Sequence, residues 1–358
     1  RSNITMKVLI LGGTGAIGKP LAKRLVELNN CVFVTSRKHR KDDNVQYICG
    51  NAKDNSFIKK ILEDEYDVII DFMVYSTTEF KSRIEMLLDK TKQYIFISSS
   101  RCYANSFQPI TENSARLLDV IEDSNYLLTD DYALAKARQE NLLYDFPQKN
   151  WTIIRPYITY NSQRLQLGCF EKEYWLHRIL NNKTLVFPED IMNCVTTITF
   201  GDDVANCIAK LIGNKKALGE CYTIATKESL SWKEILEYYS EIISRKTGQN
   251  IKIKLISNSS ELYGVADKYQ IKYDRCYNRT FDLSKLETTI GELNFTSTKK
   301  GLEKCINDFL AKPYNWRGIS AKYEAWSDRH SGELSSLKEF ENLKERLRYI
   351  KWRFLKQP

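Results

Sequence analysis

Histidine is scarce in this chain, and no residues are arranged in the pattern of a metal site. The 358 residues include three histidines, His39, His177 and His330, which stand far apart. Protein zinc sites are usually built from closely spaced pairs of cysteine or histidine ligands. We therefore predict that the chain holds no metal ion.

Paired cysteines are also lacking. The nine cysteines are odd in number, scattered along the chain, and form no C-x-x-C motif. A disulfide framework would show an even number at regular spacings. Most of these cysteines stand in apolar segments, which is typical of buried free thiols in a reducing compartment.

Long hydrophobic runs are absent as well. No stretch approaches the roughly 20 apolar residues that span a bilayer, and we recognise no signal peptide. The contents of 42% hydrophobic and 28% charged residues are ordinary for a globular protein, which we expect to be cytoplasmic. The net charge of +9 fits a phosphate-rich partner, but it would fit nucleic acid or an anionic membrane equally well.

Short apolar runs alternate with helical patterns through the first 160 residues. The predicted strands are Lys7–Leu11, Cys31–Thr35, Val68–Val74, Tyr94–Ser98 and Trp151–Tyr157, and the predicted helices are Lys19–Leu28, Phe57–Asp64, Glu79–Leu88 and Tyr132–Tyr144. This alternation predicts an α/β protein with a Rossmann-type, doubly wound parallel sheet.

Two later apolar segments, 195–200 and 221–225, are predicted to return to the same sheet. We place a Rossmann domain at 6–160 plus 196–228. The segments 161–195 and 229–315 lack strict alternation, and we predict that they form a smaller, mostly C-terminal lobe. Residues 316–358 are predicted to be a helical extension.

The extension contains a capping-box pattern at Ser336–Glu339, followed by an apolar stripe at helical spacing. The stripe consists of Leu337, Phe340, Leu343, Leu347, Ile350 and Phe354, and the basic residues Lys344, Arg346, Arg348, Lys351, Arg353 and Lys356 lie largely off it. We expect this helix to pack on the body of the protein or on another subunit. Attachment to an anionic membrane surface is the less favoured alternative.

A glycine-rich turn follows the first predicted strand and opens the first helix. Gly12-x-x-Gly15-x-x-Gly18 lets a backbone turn close tightly and approach a pyrophosphate at the helix N-terminus. The residues assigned to dinucleotide binding here are Gly12, Thr14, Gly15, Ala16, Ile17 and Gly18.

The end of the second strand distinguishes the two nicotinamide dinucleotides. An acidic residue there would accept the 2′-hydroxyl of NAD, but this chain has Ser36, Arg37 and Lys38. Hydroxyls and cations suit the 2′-phosphate of NADP. We therefore favour NADP over NAD, although a solvated basic loop would have the same composition.

Tyr132 and Lys136 lie one helical turn apart, downstream of a strand that ends in Ser98, Ser99 and Ser100. A lysine ammonium at that spacing stabilises the tyrosinate form of its neighbour. The tyrosine could then exchange a proton with a substrate oxygen during hydride transfer. Lys136 could also hold the cofactor ribose, and a serine hydroxyl could hold the reacting oxygen.

These motifs, together with "IIRPY" and "GDDVA", resemble the extended short-chain dehydrogenase/reductase family, in its nucleotide-sugar epimerase, dehydratase and reductase branch. The resemblance runs from about 6 to 310. It implies that the Rossmann domain binds NAD(P) and that the smaller lobe binds the substrate. The residues that it adds or specifies are Ser99 as the catalytic serine, Asn51, Phe72 and Pro156 as cofactor contacts, and Asp203 as the acid after the returning strand.

Two departures from the family narrow the chemistry. Sugar 4,6-dehydratases carry Asp-Glu directly after the catalytic residue, where this chain has Ser100-Arg101, so dehydration is disfavoured. The 3,5-epimerising reductases place a cysteine where Arg101 stands, one residue before Cys102. That chemistry is therefore disfavoured too.

Candidate substrate contacts are Ser100, Arg101, Tyr157 and Arg275. Arg101 could meet an anionic or polyhydroxy part of the substrate, or pair with an acid. Arg275 and Arg279 could clamp a diphosphate, although two surface arginines would be as consistent with the sequence.

The sequence thus favours an oxidoreductase acting at C4 of a nucleotide-activated sugar, as a 4-keto reductase. A 4-epimerase with a retained cofactor is the alternative. The resemblance also implies a homodimer formed through two helices beside the sheet, the Tyr132 helix among them. A non-catalytic Rossmann sensor or RNA-binding protein is the alternative of another class, which the Tyr132–Lys136 pair disfavours, so we expect no nucleic-acid partner.

Overall fold

A computed structural model describes residues 5–311 and 313–355 of the chain. These residues divide into unit 1 (5–159, 197–227 and 281–296) and unit 2 (160–196, 228–280, 297–311 and 313–355). The sequence boundaries placed 281–296 in the smaller lobe, whereas this segment belongs to unit 1. The reason is that Leu283, Leu286 and Leu293 are buried in the core of that unit.

The strands are β1 Lys7–Leu11, β2 Cys31–Ser36, β3 Gln46–Cys49, β4 Tyr66–Asp71, β5 Thr91–Ile97, β6 Trp151–Pro156, β7 Thr159–Tyr160, β8 Leu185–Pro188, β9 Val195–Thr196, β10 Thr199–Phe200, β11 Glu220–Ile224, β12 Leu230–Ser231 and β13 Ile253–Ile256. The helices are α1 Gly18–Glu27, α2 Asn55–Ile61, α3 Thr77–Lys81, α4 Ile84–Asp89, α5 Leu117–Val120, α6 Ser124–Leu127, α7 Tyr132–Asp145, α8 Lys172–Leu180, α9 Glu189–Met192, α10 Gly201–Leu211, α11 Trp232–Thr247, α12 Lys268–Gln270, α13 Ser284–Ile290, α14 Thr298–Leu310, α15 Ala321–Ser331 and α16 Leu343–Ile350. None of the described helices is both long and apolar enough to cross a membrane.

Unit 1 is built on a seven-stranded parallel sheet in the order β11-β6-β5-β4-β1-β2-β3. Alternate residues of β1 enter different cores, with Val8 and Ile10 packed with α1 and α10, and Leu9 and Leu11 packed with α2 and α4. Both faces of the sheet are therefore covered, as the near-continuous apolar strands require. The predicted fold class is confirmed. The strand order reverses between β1 and β4, which is where open α/β sheets bind ligands.

One strand predicted for the large sheet is wrong, and one strand of that sheet was missed. The segment 195–200 does not join the large sheet but forms two separate two-residue strands, of which β9 pairs antiparallel with β12. The edge position beside β6 is taken by β11, as predicted for 221–225. The missed strand, β3, is a half-exposed edge strand, and its four residues are too few to give a clear periodic signal.

In unit 2, β8 and β13 pair in parallel, and the C-terminal segment packs beside them. The tail begins with α15, which the sequence prediction did not delimit. The predicted capping box at Ser336–Glu339 is present, but the turn that it opens stops at Glu339. Helix resumes at α16, where the side chain of Asn342 caps the first turn, and continues as a π-helical turn over Lys351–Leu355. Lys356 lies outside the described residues.

Buried ion pairs join the tail to α8. The guanidinium of Arg178 lies 2.5 Å from Glu324 and 2.9 Å from Asp328, and all three side chains are fully buried. Arg178 also contacts Glu333 at 3.1 Å. Lys183, just beyond α8, donates to the Ser335 hydroxyl at 2.5 Å. The tail is thus fixed to unit 2 by charges as well as by apolar contacts.

One group of potential metal ligands, His177, Glu324 and Glu339, comes together in this cluster of described residues. However, the ammonium of Lys183 lies 3.5 Å from Glu324 and 3.2 Å from Glu339. A lysine therefore already supplies the positive charge that these carboxylates need.

We expect Arg178→Met to destabilise unit 2 by about 3–5 kcal/mol, because the substitution leaves Glu324 and Asp328 buried without their counter-charge. The measurement is urea unfolding followed by tryptophan fluorescence. Lys304→Met, which removes an exposed pair with Asp308, is the matched control and should cost less than about 1 kcal/mol. Equal midpoints for the two variants would contradict the assignment.

The same variant should change the pH dependence of stability. Burial alone would raise the pKa of the Glu324 carboxyl, but His177, Arg178 and Lys183 outweigh it and hold that pKa below its ordinary value. A lowered folded-state pKa contributes stability above the ordinary carboxyl range, and this contribution is lost as the pH falls through the folded-state pKa. Arg178→Met should therefore lose less stability on acidification than the unmodified chain.

Candidate cofactor and catalytic site

The glycine turn after β1 has the geometry that its spacing predicts. Gly12 has a φ of +70°, and its amide donates to the Thr35 hydroxyl at 2.9 Å. A Cβ on Gly18 would lie 2.5 Å from the backbone of Gly13, so this glycine lets α1 pack closely against the turn. A Cβ on Gly15 would meet nothing within 4 Å, so its backbone faces open space.

A cleft of about 310 Å³ opens beside this turn. Its lining residues are Gly12, Thr14, Thr35, Ser36, Arg37, Gly50, Asn51, Ala52, Lys53 and Met73. No carboxylate is among these described residues, and Arg37 and Lys53 supply two cations. The buried hydroxyl of Ser36 accepts from the amide of Lys38 and from Nε of Arg40, each at 3.2 Å. The cleft thus combines a glycine turn with a basic rim.

The sequence-predicted cofactor residues do not all meet at this cleft. Gly12, Thr14, Ser36, Arg37 and Asn51 line it. The others lie elsewhere: Gly15 and Lys38 are exposed, Ala16 is half-buried, Ile17 and Gly18 are buried, Phe72 packs against the core beside β1, and Pro156 is half-buried at the end of β6. The sequence prediction missed Lys53 and Met73. Lys53 follows β3 and Met73 follows β4, and only the order of the strands in the sheet brings these two segments close to the end of β1.

The turn that carries Lys53 is held from behind by a buried arginine. Arg83 donates to the carbonyl of Ala52 at 2.7 Å and to the Tyr75 hydroxyl at 3.1 Å. Tyr75 in turn donates to Asp71, the last residue of β4, at 3.0 Å. Burial raises the pKa of the Asp71 carboxyl. These contacts link the end of β4 to the rim of the cleft.

A second cleft, of about 360 Å³, contains the tyrosine and lysine of α7. Its lining residues are Lys53, Val74, Tyr75, Ser76, Asp130, Tyr132, Ala135 and Lys136. The Nζ of Lys136 is buried, donates to the Ile97 carbonyl at 2.7 Å, and lies 5.7 Å from the Tyr132 ring centroid. Lys53 lines both clefts, so the glycine-turn cleft and the Tyr132 cleft adjoin each other.

A family model described as "NAD dependent epimerase/dehydratase family" matches residues 8–225, which is more than half of the chain. The chain belongs to this family. The matched region includes the glycine turn, the three serines Ser98–Ser100 at the end of β5 (the serine turn) and the Tyr132–Lys136 pair, all of them in unit 1. The predicted resemblance is thereby confirmed at the level of this family.

Individual relatives are more distant. A UDP-glucose 4-epimerase from Lactobacillus helveticus is 27% identical over 160 residues, which are 38% of this chain and 46% of that protein. The chain thus spans less than half the length of this curated relative. Among solved structures, UDP-glucuronic acid 4-epimerase from Bacillus cereus in complex with NAD aligns with a TM-score of 0.65 and 18% identity over 87% of this chain and all of that one. The dTDP-glucose 4,6-dehydratase from Bacillus anthracis, also in complex with NAD, aligns with a TM-score of 0.67 and 14% identity over 86% and 97% of the two chains.

The three serine hydroxyls of the serine turn make different hydrogen bonds. Ser98 donates to Glu140 at 2.5 Å, and Ser100, fully buried, donates to the Arg155 carbonyl at 2.8 Å. Ser99 caps the short turn Ser100–Cys102 and accepts from the Arg101 amide at 3.1 Å. The contact of Ser100 occupies its proton and counts against its predicted role at the substrate.

Glu140 is the functional neighbour that sequence reasoning missed. It lies one turn beyond Lys136 on the same face of α7, and its carboxylate is fully buried. Arg155 binds it through Nε and Nη2 at 2.8 and 2.6 Å, and Arg116 approaches at 3.2 Å. The sequence signal that could have identified Glu140 is its position four residues after Lys136, which places both residues on one face of the helix. This ion pair fixes α7, the serine turn and the end of β6 together.

The predicted substrate residues are differently placed. In unit 1, the guanidinium carbon of Arg101 lies 5.1 Å from the Tyr132 ring centroid, and Tyr157 is buried with its ring 5.2 Å from that of Phe281. In unit 2, Arg275 and Arg279 are buried, so the surface alternative is wrong. Arg275 donates to the Gly168 carbonyl at 2.9 Å, and both arginines bind Asp274. Asp274 therefore neutralises part of the positive charge of the two arginines that were predicted to clamp a diphosphate.

None of the nine cysteines, all of which lie in the described residues, is in a disulfide, as expected. Cys102, Cys207, Cys221 and Cys305 are buried, and Cys49 is exposed. Burial raises the pKa of the Cys207 thiol to about 12, which keeps that sulfur protonated and unreactive at neutral pH.

The second and third glycines of the motif, Gly15 and Gly18, should respond differently to a methyl group. We expect Gly15→Ala to leave the melting temperature nearly unchanged but to weaken dinucleotide binding by about tenfold or more, because the added Cβ projects into open space beside the turn. Gly18→Ala, the matched comparison, should cost about 1–3 kcal/mol of stability through its clash with Gly13. The measurements are thermal unfolding and fluorescence titration with NADH and NADPH. Unchanged titration of the Gly15 variant would show that this turn does not contact the dinucleotide.

Proposed function

We propose that this chain is an NADP-linked oxidoreductase that reduces a 4-keto nucleotide sugar, with Tyr132 as the proton donor. The observation that carries the proposal is the adjacency of the two clefts of unit 1 through Lys53. It places the Tyr132–Lys136 pair next to the glycine turn that suits a dinucleotide. Members of the family work with such a cofactor, and the structurally similar epimerase and dehydratase were solved with NAD bound.

The residues present fit a dinucleotide. The open space above Gly15 and the start of α1 just beyond it suit a pyrophosphate. Ser36 and Arg37 would hold the adenosine ribose, and the lack of a carboxylate among the described lining residues, with Arg37 and Lys53 present, supports NADP over NAD. The chemistry that the bound dinucleotide supplies is reversible two-electron transfer.

Four side chains have a part in the proposed reduction, and they are Tyr132, Lys136, Ser99 and Arg101. The Tyr132 hydroxyl gives its proton to the substrate oxygen at C4. Lys136, held by the Ile97 carbonyl, stabilises the tyrosinate that remains. Ser99 positions the reacting oxygen through its hydroxyl. Arg101, beside the Tyr132 ring, adds a second positive charge near the phenolate.

A 4-epimerase is the second candidate, and the Lactobacillus helveticus relative is the observation that favours it. An epimerase oxidises C4 and reduces it again from the other face, so it needs no external reductant. The distinguishing experiment incubates the purified protein with UDP-glucose, UDP-galactose and UDP-glucuronic acid, with and without NADPH. Interconversion of C4 epimers without added cofactor would overturn the reductase and establish the epimerase. A homodimer formed through α7 also stays a proposal.

We expect Tyr132→Phe to lower kcat by about 10²- to 10⁴-fold, because it removes the proton donor but leaves the aromatic ring. Binding of NADPH, measured by fluorescence, should be unchanged. Tyr144→Phe on the same helix is the control and should keep full activity. Unchanged turnover of the Tyr132 variant would exclude this mechanism, and salt-dependent RNA binding by an inactive chain would support the binding-protein alternative.

We expect Arg37→Ala to weaken NADPH binding by about tenfold or more while leaving NADH binding nearly unchanged. The substitution removes the guanidinium, so the 2′-phosphate of NADPH would lose a charge-assisted hydrogen bond that NADH does not make. Lys41→Ala, in the same exposed basic loop, is the matched control. Calorimetric titration with both dinucleotides gives the result. An equal loss for NADH and NADPH would remove the basis for the NADP preference.

A further inference from the structure

Four apolar residues of α16 and of the turn that follows it face solvent instead of the body of the protein. Leu343 is 69% exposed and Leu347, one turn later, is 57% exposed. Phe354 and Leu355, in the π-helical turn that follows, are 60% and 76% exposed. We expected this stripe to pack on the body or on another subunit, and packing on the body is wrong for these residues.

The opposite side of the same segment is what packs. Tyr349 is 2% exposed, and its ring lies 5.0 Å from that of Phe340. Its hydroxyl donates to the buried carboxylate of Asp328 at 2.6 Å, and Trp352 packs against the same cluster. Tyr349 falls roughly 140° around the helix from the midline of the two leucines. Ile350, at the edge of the stripe, is half-buried against the same cluster, whereas Leu343, Leu347, Phe354 and Leu355 face outward.

Cations border the exposed stripe on both flanks. Lys344 and Arg346 fall about 80° to either side of the leucine midline. Residues 341–355 contain the five cations Lys344, Arg346, Arg348, Lys351 and Arg353 and the two carboxylates Glu341 and Glu345. Arg348 pairs with Glu345 at 2.7 Å, which leaves the segment strongly basic. An apolar stripe with basic flanks is the pattern of helices that lie in the headgroup region of an anionic bilayer.

We propose that residues 343–355 bind the surface of an anionic lipid bilayer, with Leu343, Leu347, Phe354 and Leu355 inserted among the headgroups and acyl boundary. This inference is independent of the proposed enzymatic function. A second copy of the chain fits less well, because two-fold pairing of the same stripe would oppose its cationic flanks to one another. The helix is already folded and anchored on α15, so binding requires no ordering of a flexible segment.

The test is sedimentation of the full chain with vesicles of phosphatidylcholine and phosphatidylserine in a ratio of about three to one, and with phosphatidylcholine vesicles alone. We expect binding to the anionic vesicles that weakens as salt is raised. The variant Leu343→Ser/Leu347→Ser/Phe354→Ser should lower the partition coefficient by about tenfold or more. Phe107→Ser, at a 99% exposed residue of unit 1, is the control for loss of an exposed apolar side chain.

Charge is tested separately with Lys344→Glu/Lys351→Glu, which should weaken binding by about twentyfold or more, since each basic residue near such a surface contributes roughly fivefold. Lys215→Glu/Lys216→Glu makes the same change of charge at exposed residues of unit 1 and should have little effect. Circular dichroism checks that the variants are folded. The proposal is overturned if the full chain does not sediment with anionic vesicles, or if the stripe variant binds them as well as the unmodified chain does. It is equally overturned if the stripe variant instead converts a dimer to a monomer in analytical ultracentrifugation, which would make this face a subunit interface.

Discussion

The buried ion pair between Glu140 and Arg155 is the contact on which the geometry around the Tyr132–Lys136 pair depends. Glu140 lies on the helix that carries Tyr132 and Lys136, and Arg155 lies at the end of β6. The same carboxylate accepts the hydroxyl of Ser98, and the carbonyl of Arg155 accepts that of Ser100. Two charges buried together are costly to separate, because removing either one leaves the other without solvent or partner. The serine turn between them is therefore held in one conformation.

A similar arrangement supports the cleft beside the glycine turn. Asp71, Tyr75 and Arg83 form a buried chain of hydrogen bonds from the end of β4 to the carbonyl of Ala52. Lys53, the next residue, reaches both clefts. Hydrogen bonds are stronger in a buried setting than in water, so these contacts restrict the movement of the turn at Ala52 and Lys53. Unit 1 thus presents rigid rims on which a ligand can be oriented.

Features encoded by local sequence could be predicted, and features that depend on distant pairing could not. The apolar runs of β1, β2, β5 and β6 and the glycine turn follow from short patterns, and the structure has them close to the predicted bounds. By contrast, Lys53, Met73 and Glu140 reach their places only through the order of the strands and the packing of α7. The segment 195–200 failed because six residues of alternating character do not specify which neighbour they pair with.

The tail shows a further limit of periodicity. The spacing of Leu343, Leu347 and Phe354 identified a helical face but could not indicate whether that face is covered. The helix contacts the body through Ile350, which the hydrophobic pattern marked, and through Tyr349 and Trp352, which it did not. A tyrosine can pack its ring and still satisfy its hydroxyl, here with Asp328, so it can anchor a helix from a side that looks polar in sequence.

The ion pairs between α8 and α15 also bear on how this protein can be shortened. The first helix of the tail supplies Glu324 and Asp328, the two carboxylates that contact fully buried Arg178 most closely. A chain cut before α15 would remove both carboxylates and uncover the surface of unit 2 that this segment buries. The C-terminal segment is therefore not an appendage that can be trimmed to improve expression or crystallisation. It completes the interior of unit 2, and any shortened form has to keep residues through the end of α15.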